Sequence, residues 1–109
     1  MSGLSTHVLD QTIGRPGVGV AVKIFRDGAE IGAAVTSEDG RAVDLQGAGP
    51  LTAGRYRLVF AIGAYFKKRS DDAPFFDDVV VDFVIPEGMT RCHVPLLVSP
   101  FAYSTYRGS

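Results

Sequence analysis

Tyr56-Arg57-Leu58-Val59-Phe60-Ala61-Ile62 sets Tyr56, Leu58, Phe60 and Ile62 at every second position. A period of two in apolar residues marks a strand with one buried face. The same alternation runs upstream through Val18, Val20, Val22 and Ile24 and downstream through Val79, Val81, Phe83 and Ile85. These runs are rich in β-branched and aromatic side chains, which suit a pleated surface. Thirteen glycines and six prolines are spread along the chain and cut it into short segments. The cuts fall at Arg15-Pro16-Gly17, Arg26-Asp27-Gly28, Glu38-Asp39-Gly40, Ala53-Gly54 and Ser99-Pro100. The Asp-Gly pairs predict hairpins. Strands are expected at 4–10, 18–26, 30–36, 42–45, 54–62, 78–85, 91–98 and 102–107. Eight strands in 109 residues predict an all-β sandwich or barrel. The segment Ile62-Gly63-Ala64-Tyr65-Phe66-Lys67-Lys68-Arg69 loses the alternation and ends in three cations, which complement the negative end of a helix dipole. It reads either as a short helix or as a basic loop.

With 109 residues, 46% hydrophobic and 21% charged, residues 1–109 suit one domain with a real core. Eleven Lys+Arg against twelve Asp+Glu leave a formal charge of −1, with no run of five like charges. A nucleic-acid partner is therefore not expected. Apolar runs such as Pro95-Leu96-Leu97-Val98 fall far short of the roughly 20 residues that cross a bilayer, so no membrane partner is expected either. The start, Met1-Ser2-Gly3-Leu4-Ser5-Thr6-His7, has no basic segment leading into an apolar one, and a cytoplasmic location is expected. The final Arg107-Gly108-Ser109 is not a peroxisomal address. Cys92 is the single cysteine, which excludes an intrachain disulfide and a cysteine-based zinc cluster. It is expected to be a small buried apolar residue.

Chemistry has few places to sit. The two histidines, His7 and His93, both fall inside expected strands. Along the second of these, Cys92, Val94, Leu96 and Val98 form the more apolar face, so His93 points the other way with Pro95 and Leu97. A lone strand histidine is usually a satisfied structural residue, whereas two in one site suggest proton transfer. Spacing alone does not bring these two together. Arg41, after Asp39-Gly40, reads as a solvated turn residue or as a fork of donors for a polar carbonyl group. The tail from Ser99 to Ser109, rich in hydroxyls and aromatics, is expected to be docked rather than frayed. Phosphate-cradling loops, nucleotide-binding glycine motifs, GxSxG and HExxH are absent, and neither histidine has an acid at i+3 or i+4. No metal site of local spacing is expected.

Four pieces of the chain resemble the transthyretin-related family, and within it the members that hydrolyse 5-hydroxyisourate. They are Leu4-Ser5-Thr6-His7-Val8-Leu9-Asp10 with Gly14-Arg15-Pro16, the turn Asp39-Gly40-Arg41, the strand His93-Val94-Pro95-Leu96-Leu97-Val98-Ser99-Pro100, and the terminus Tyr103-Ser104-Thr105-Tyr106-Arg107-Gly108-Ser109. The resemblance runs along essentially the whole chain. Tyr106-Arg107-Gly108-Ser109 is its most specific piece, because it separates the hydrolases from transthyretin itself, the thyroid-hormone carrier, which also lacks the two histidines and the turn arginine. Many members carry His-Tyr-His where this chain has Arg91-Cys92-His93. Arg91 is expected to add positive potential there.

The resemblance implies a transthyretin-like sandwich of two four-stranded sheets with one short helix. It also implies a homotetramer, a dimer of dimers, with substrate sites in a channel between dimers. The implied reaction opens 5-hydroxyisourate at a ring acyl C–N bond to give 2-oxo-4-hydroxy-4-carboxy-5-ureidoimidazoline, a step of urate and hence purine breakdown, with no cofactor and no metal. His7, Arg41, His93 and Ser109 are the implied catalytic residues, and His7, Arg41, Tyr106, Arg107 and Gly108 the implied substrate-binding ones. The rival is a non-catalytic carrier of a planar ligand.

Overall fold

A computed structural model describes residues 3–69 and 73–108. The alternating runs form strands, in chain order β1 (Gly3–Asp10), β2 (Arg15–Pro16), β3 (Ala21–Arg26), β4 (Ala29–Val35), β5 (Arg41–Ala42) and β6 (Gly54–Phe60). A single helix, α1 (Ile62–Arg69), precedes β7 (Val79–Ile85), β8 (Arg91–Val98) and β9 (Tyr103–Thr105). One sheet has the order β4-β3-β6-β7, antiparallel throughout. The other has the order β2-β1-β8-β9, with β5 also paired to β1, and its central pair, β1 with β8, is parallel. The two sheets stack over a core of alternating residues that includes Leu4, Val8, Val22, Ile24, Leu58, Phe60, Leu96 and Val98, all at most 1% exposed. Each such side chain contributes about 1.5–3 kcal/mol by leaving water. No helix among the described residues is long and apolar enough to cross a membrane.

Several boundaries differ from the sequence expectation, each for a local reason. Val18 lies outside any strand and is 48% exposed. The chain there is turning, with Gly19 at positive φ, and the buried Thr36 hydroxyl accepts from Val20 N at 2.8 Å and donates to Gly17 O at 2.7 Å. Arg26-Asp27-Gly28 forms the expected hairpin: Asp27 and Gly28 both have positive φ, as a two-residue turn between β3 and β4 requires. Glu38-Asp39-Gly40 does not form a hairpin. It is a corner between the sheets, because β4 belongs to one sheet and β5 pairs with β1 in the other. Gly40 permits this: its carbonyl accepts from Val8 N at 2.8 Å, and a Cβ would lie 2.5 Å from Val8 O. The expected strand 42–45 is cut to Arg41–Ala42, with Asp44 turned to φ 52°. Arg15-Pro16, expected as part of a turn, adds a short ladder to β1, so this sheet has five strand segments rather than four.

The open question at residues 62–69 resolves as a helix. Ile62 and Phe66, one turn apart, are fully buried, and Ile62 therefore ends no strand. Gly63 rests directly on the backbone of Asp77, accepting no side chain there: a Cβ would lie 3.0 Å from Asp77 Cα. The cationic end of α1 reaches the end of β1, where Arg69 Nε lies 2.7 Å from Oδ2 of the fully buried Asp10. Tyr65 donates its hydroxyl to the same oxygen at 2.7 Å, and Thr12 N donates to Oδ1 at 3.0 Å.

Candidate active site on the outer face of the β1–β8 sheet

Strand pairing explains how residues remote in sequence meet. In β1, Leu4, Thr6, Val8 and Asp10 face the core, leaving Ser5, His7 and Leu9 on the outer face. In β8, Cys92, Val94, Leu96 and Val98 are buried and His93 faces outward, as its spacing predicts. The parallel register sets Ser5 opposite His93 and His7 opposite Pro95, while β5 sets Arg41 directly across from His7. His7, Arg41 and His93 therefore share one face, two of them on adjacent positions and the third one step along the diagonal.

The carboxyl-terminal segment completes the face. β9 pairs with β8, and past it Gly108 bridges back to His93, its amide donating to His93 O at 2.7 Å. A Cβ at position 108 would lie 2.7 Å from His93 Cδ2, so only glycine lets the backbone come this close to the imidazole. The tail is docked, as expected. Ser109 lies outside the described residues.

A depression of about 470 Å³ opens on this face, lined among others by Ser5, Arg41, Arg91, His93, Arg107 and Gly108. Its rim is cationic. Arg41 has a carboxylate neighbour, Asp39, at 3.5 Å from Nε, and the other two arginines have no salt bridge among the described residues. Arg91 is one of the three arginines that line the depression. His7 flanks the depression rather than lining it, and its Nε2 lies 2.9 Å from the backbone oxygen of Asp39. Tyr106 is not brought into it. This side chain is 59% exposed and borders a neighbouring groove with Phe83, Pro86 and Met89, while Arg107 borders both concavities.

The electrostatics suit a neutral base. Burial, then the Arg41 guanidinium and His7, hold the His93 imidazole below its ordinary pKa, against a smaller opposite pull from the Ser5 backbone. The Asp39 carboxyl is held below the usual range, first by the Ser37 hydroxyl that donates to it and then by the backbone and guanidinium of Arg41. This fixes the turn that carries Arg41. Cys92 is buried behind the site, and burial pushes its thiol up while Arg107 pulls the other way. Among the described residues no group of three or more His, Cys, Asp or Glu is placed to hold a metal.

The residue that sequence reasoning passed over is Ser5, whose Oγ lies 2.8 Å from His93 Nδ1. Its one signal was parity: it stands two positions before His7, on the same face of the same strand.

The description "HIUase/Transthyretin family" belongs to a family model that matches residues 4–108. A 5-hydroxyisourate hydrolase of Caulobacter vibrioides is 49% identical over 116 aligned positions, covering all of both chains. The solved structure of Klebsiella pneumoniae 5-hydroxyisourate hydrolase aligns with a TM-score of 0.90 at 42% identity, again over the whole of both. Transthyretin from Sparus aurata aligns with a TM-score of 0.89 at 32% identity, over 99% of this chain and 97% of that one. The all-β sandwich, the matched 4–108 and these full-length likenesses agree: the chain belongs to the HIUase/Transthyretin family.

Proposed function

We propose that this protein hydrolyses 5-hydroxyisourate to 2-oxo-4-hydroxy-4-carboxy-5-ureidoimidazoline, a step of urate breakdown. The observation that carries the reading is the shared face of His7, Arg41 and His93, closed by Gly108 against the imidazole. A planar ring rich in carbonyls needs donors to orient it and a base to activate water, and this face offers both. Arg41 presents a guanidinium fork to the carbonyl oxygen that gains charge as water attacks the acyl carbon. An imidazole as general base contributes about 10²- to 10⁴-fold. Arg107 and Gly108 bound the ring, and Tyr106 and Ser109 are assigned to the same site as binding and catalytic residues. No cofactor takes part.

In the same reading, residues 1–109 act as one domain in a cytoplasmic homotetramer. Support comes from the sheet edges: β7 and β9 end their sheets with Val80, Val84 and Tyr103 exposed, and edges of this kind are covered by a second copy in a closed assembly. The carrier alternative fits less well, since an apolar ligand favours an apolar pocket and this one is rimmed by three arginines.

The test generates 5-hydroxyisourate from urate with urate oxidase and follows the decay of its ultraviolet absorbance with the purified protein. His7→Ala, Arg41→Ala and His93→Ala are each expected to lower kcat by about tenfold or more, with losses that do not add because the three act together. A wild-type protein that leaves the decay at its spontaneous rate would overturn the reading.

A further inference from the structure

The two histidines are not equivalent, and the groups bonded to them differ in kind. We infer that Ser5 fixes the tautomer of His93 so that His93 Nε2 takes the proton of the attacking water, while His7 is the donor that anchors the Arg41 turn. The inference rests on the proposed hydrolysis for its chemistry, and on hydrogen-bond geometry for the assignment.

Consider His93 first. The parallel register places Ser5 directly opposite it, with Oγ 2.8 Å from Nδ1. The hydroxyl alone can donate or accept, so it does not decide the tautomer. Nε2 is the ring nitrogen with no partner among the described residues, so a neutral His93 that takes the water's proton accepts it there and keeps its own proton on Nδ1, donated to Ser5 Oγ. In a neutral imidazole the lone pair is then on Nε2. Among the described residues Ser5 is the only hydrogen-bond partner of the His93 side chain, and its bond is to Nδ1, which leaves Nε2 for water or substrate. The ring is also held from the other edge. Gly108 lies on the Cδ2 side of the ring, the carbon bonded to Nε2, so the terminal segment passes beside the reactive atom.

His7 has the opposite arrangement. Its Nε2 lies 2.9 Å from the backbone oxygen of Asp39, which can only accept, so Nε2 carries the proton and donates it. That bond ties β1 to the Asp39-Gly40-Arg41 corner and so places the guanidinium directly across from His7.

The step balances. A water oxygen bonds to the acyl carbon while its proton moves to His93 Nε2, and Nδ1–H, bonded to Ser5, stabilises the imidazolium. The C–N bond then breaks with transfer of that proton to the leaving nitrogen. The ring opens to a carboxylic acid, which ionises in water.

Long-range 15N–1H NMR of the imidazole rings reads the tautomers directly, and it does so in the wild-type protein at neutral pH. His93 is expected as Nδ1–H and His7 as Nε2–H. Ser5→Ala is expected to give His93 a mixed tautomer signal and to lower kcat about tenfold with KM little changed, the size typical of losing a group that orients a histidine. Ser5→Thr, which keeps the hydroxyl, restores both. An Nε2–H signal for His93 in the wild type overturns the inference, as does a Ser5→Ala protein that keeps both tautomer and turnover. If Ser5→Ala does not fold, the wild-type spectrum decides. Inactivity of the wild type toward 5-hydroxyisourate would instead refute the proposed reaction, and the spectrum would still test the assignment.

Discussion

Gly108 and His93 meet at a distance that leaves no room for a methyl group. Gly108→Ala is therefore expected to push the imidazole or the tail aside and to lower kcat by about 10²-fold, the cost of a shift near 1 Å at a reacting group. Since Gly108 is near the end of the chain and outside the core, the Tm is expected to change little; equal turnover in the variant would remove the tail from the site. The pH profile belongs to the same pair of strands. His93 must be neutral to accept a proton, and burial, Arg41 and His7 hold its pKa below the ordinary imidazole value, with Arg91 and Arg107 on the rim adding charge of the same sign. The acid limb of kcat/KM is thus expected below about 6.5, activity being lost as pH falls through the lowered pKa. Residual activity of Arg41→Ala, with one cation removed, should show that limb moved to higher pH. Cys92 supplies the contrast. It faces the core behind His93, so Cys92→Ala is expected to cost about 1 kcal/mol in urea denaturation and to leave turnover intact.

At the scale of elements, α1 is fastened by one buried acid. Asp10 accepts from Tyr65 and Thr12 and pairs with Arg69, whose guanidinium also stacks 5.2 Å from the centre of the Phe66 ring. Burial and the neighbouring carboxylate raise the Tyr65 hydroxyl far above its ordinary pKa, which keeps it a donor. Arg69→Met leaves that carboxylate buried without its cation and is expected to cost about 3 kcal/mol in urea denaturation. Tyr65→Phe removes one hydrogen bond and is expected to cost about 1 kcal/mol. None of this was legible in the sequence, because Asp10 and Tyr65 are 55 positions apart and look like ordinary strand-end and helix residues. The strands were legible wherever one face is buried and the other wet, as in Tyr56, Leu58 and Phe60. Arg15-Pro16 was not, since its ladder depends on a partner rather than on its own pattern. The Asp39-Gly40 turn was found but misassigned, because the same dipeptide serves a hairpin and a corner between sheets, and only the pairing of β5 with β1 tells them apart. For the candidate site, His7, Arg41, His93 and Gly108, which the structure gathers on one face, were readable as a family pattern. Tyr106 in that pattern lies in the neighbouring groove, and the outward turn of His93 was legible as parity. Ser5 needed the parallel register, which no local signal encodes.

For the molecule as a whole, sedimentation is expected to show a tetramer, and a stable, fully active monomer would refute the proposed assembly. The parallel seam between β1 and β8 has a separate consequence, for biosynthesis. It lies at the centre of its sheet and joins Ser5 to His93 across 88 positions, so β1, made first, waits for nearly the whole chain before its principal partner exists. Pairing over such separations places folding in the range of about milliseconds to seconds rather than microseconds. Until Arg91–Val98 has left the ribosome, one long edge of β1 is bare, and a bare edge invites pairing with other chains. A ribosome stalled before β8 therefore carries an aggregation-prone strand that bears His7 without His93, and the two histidines come to share a face only as the seam closes.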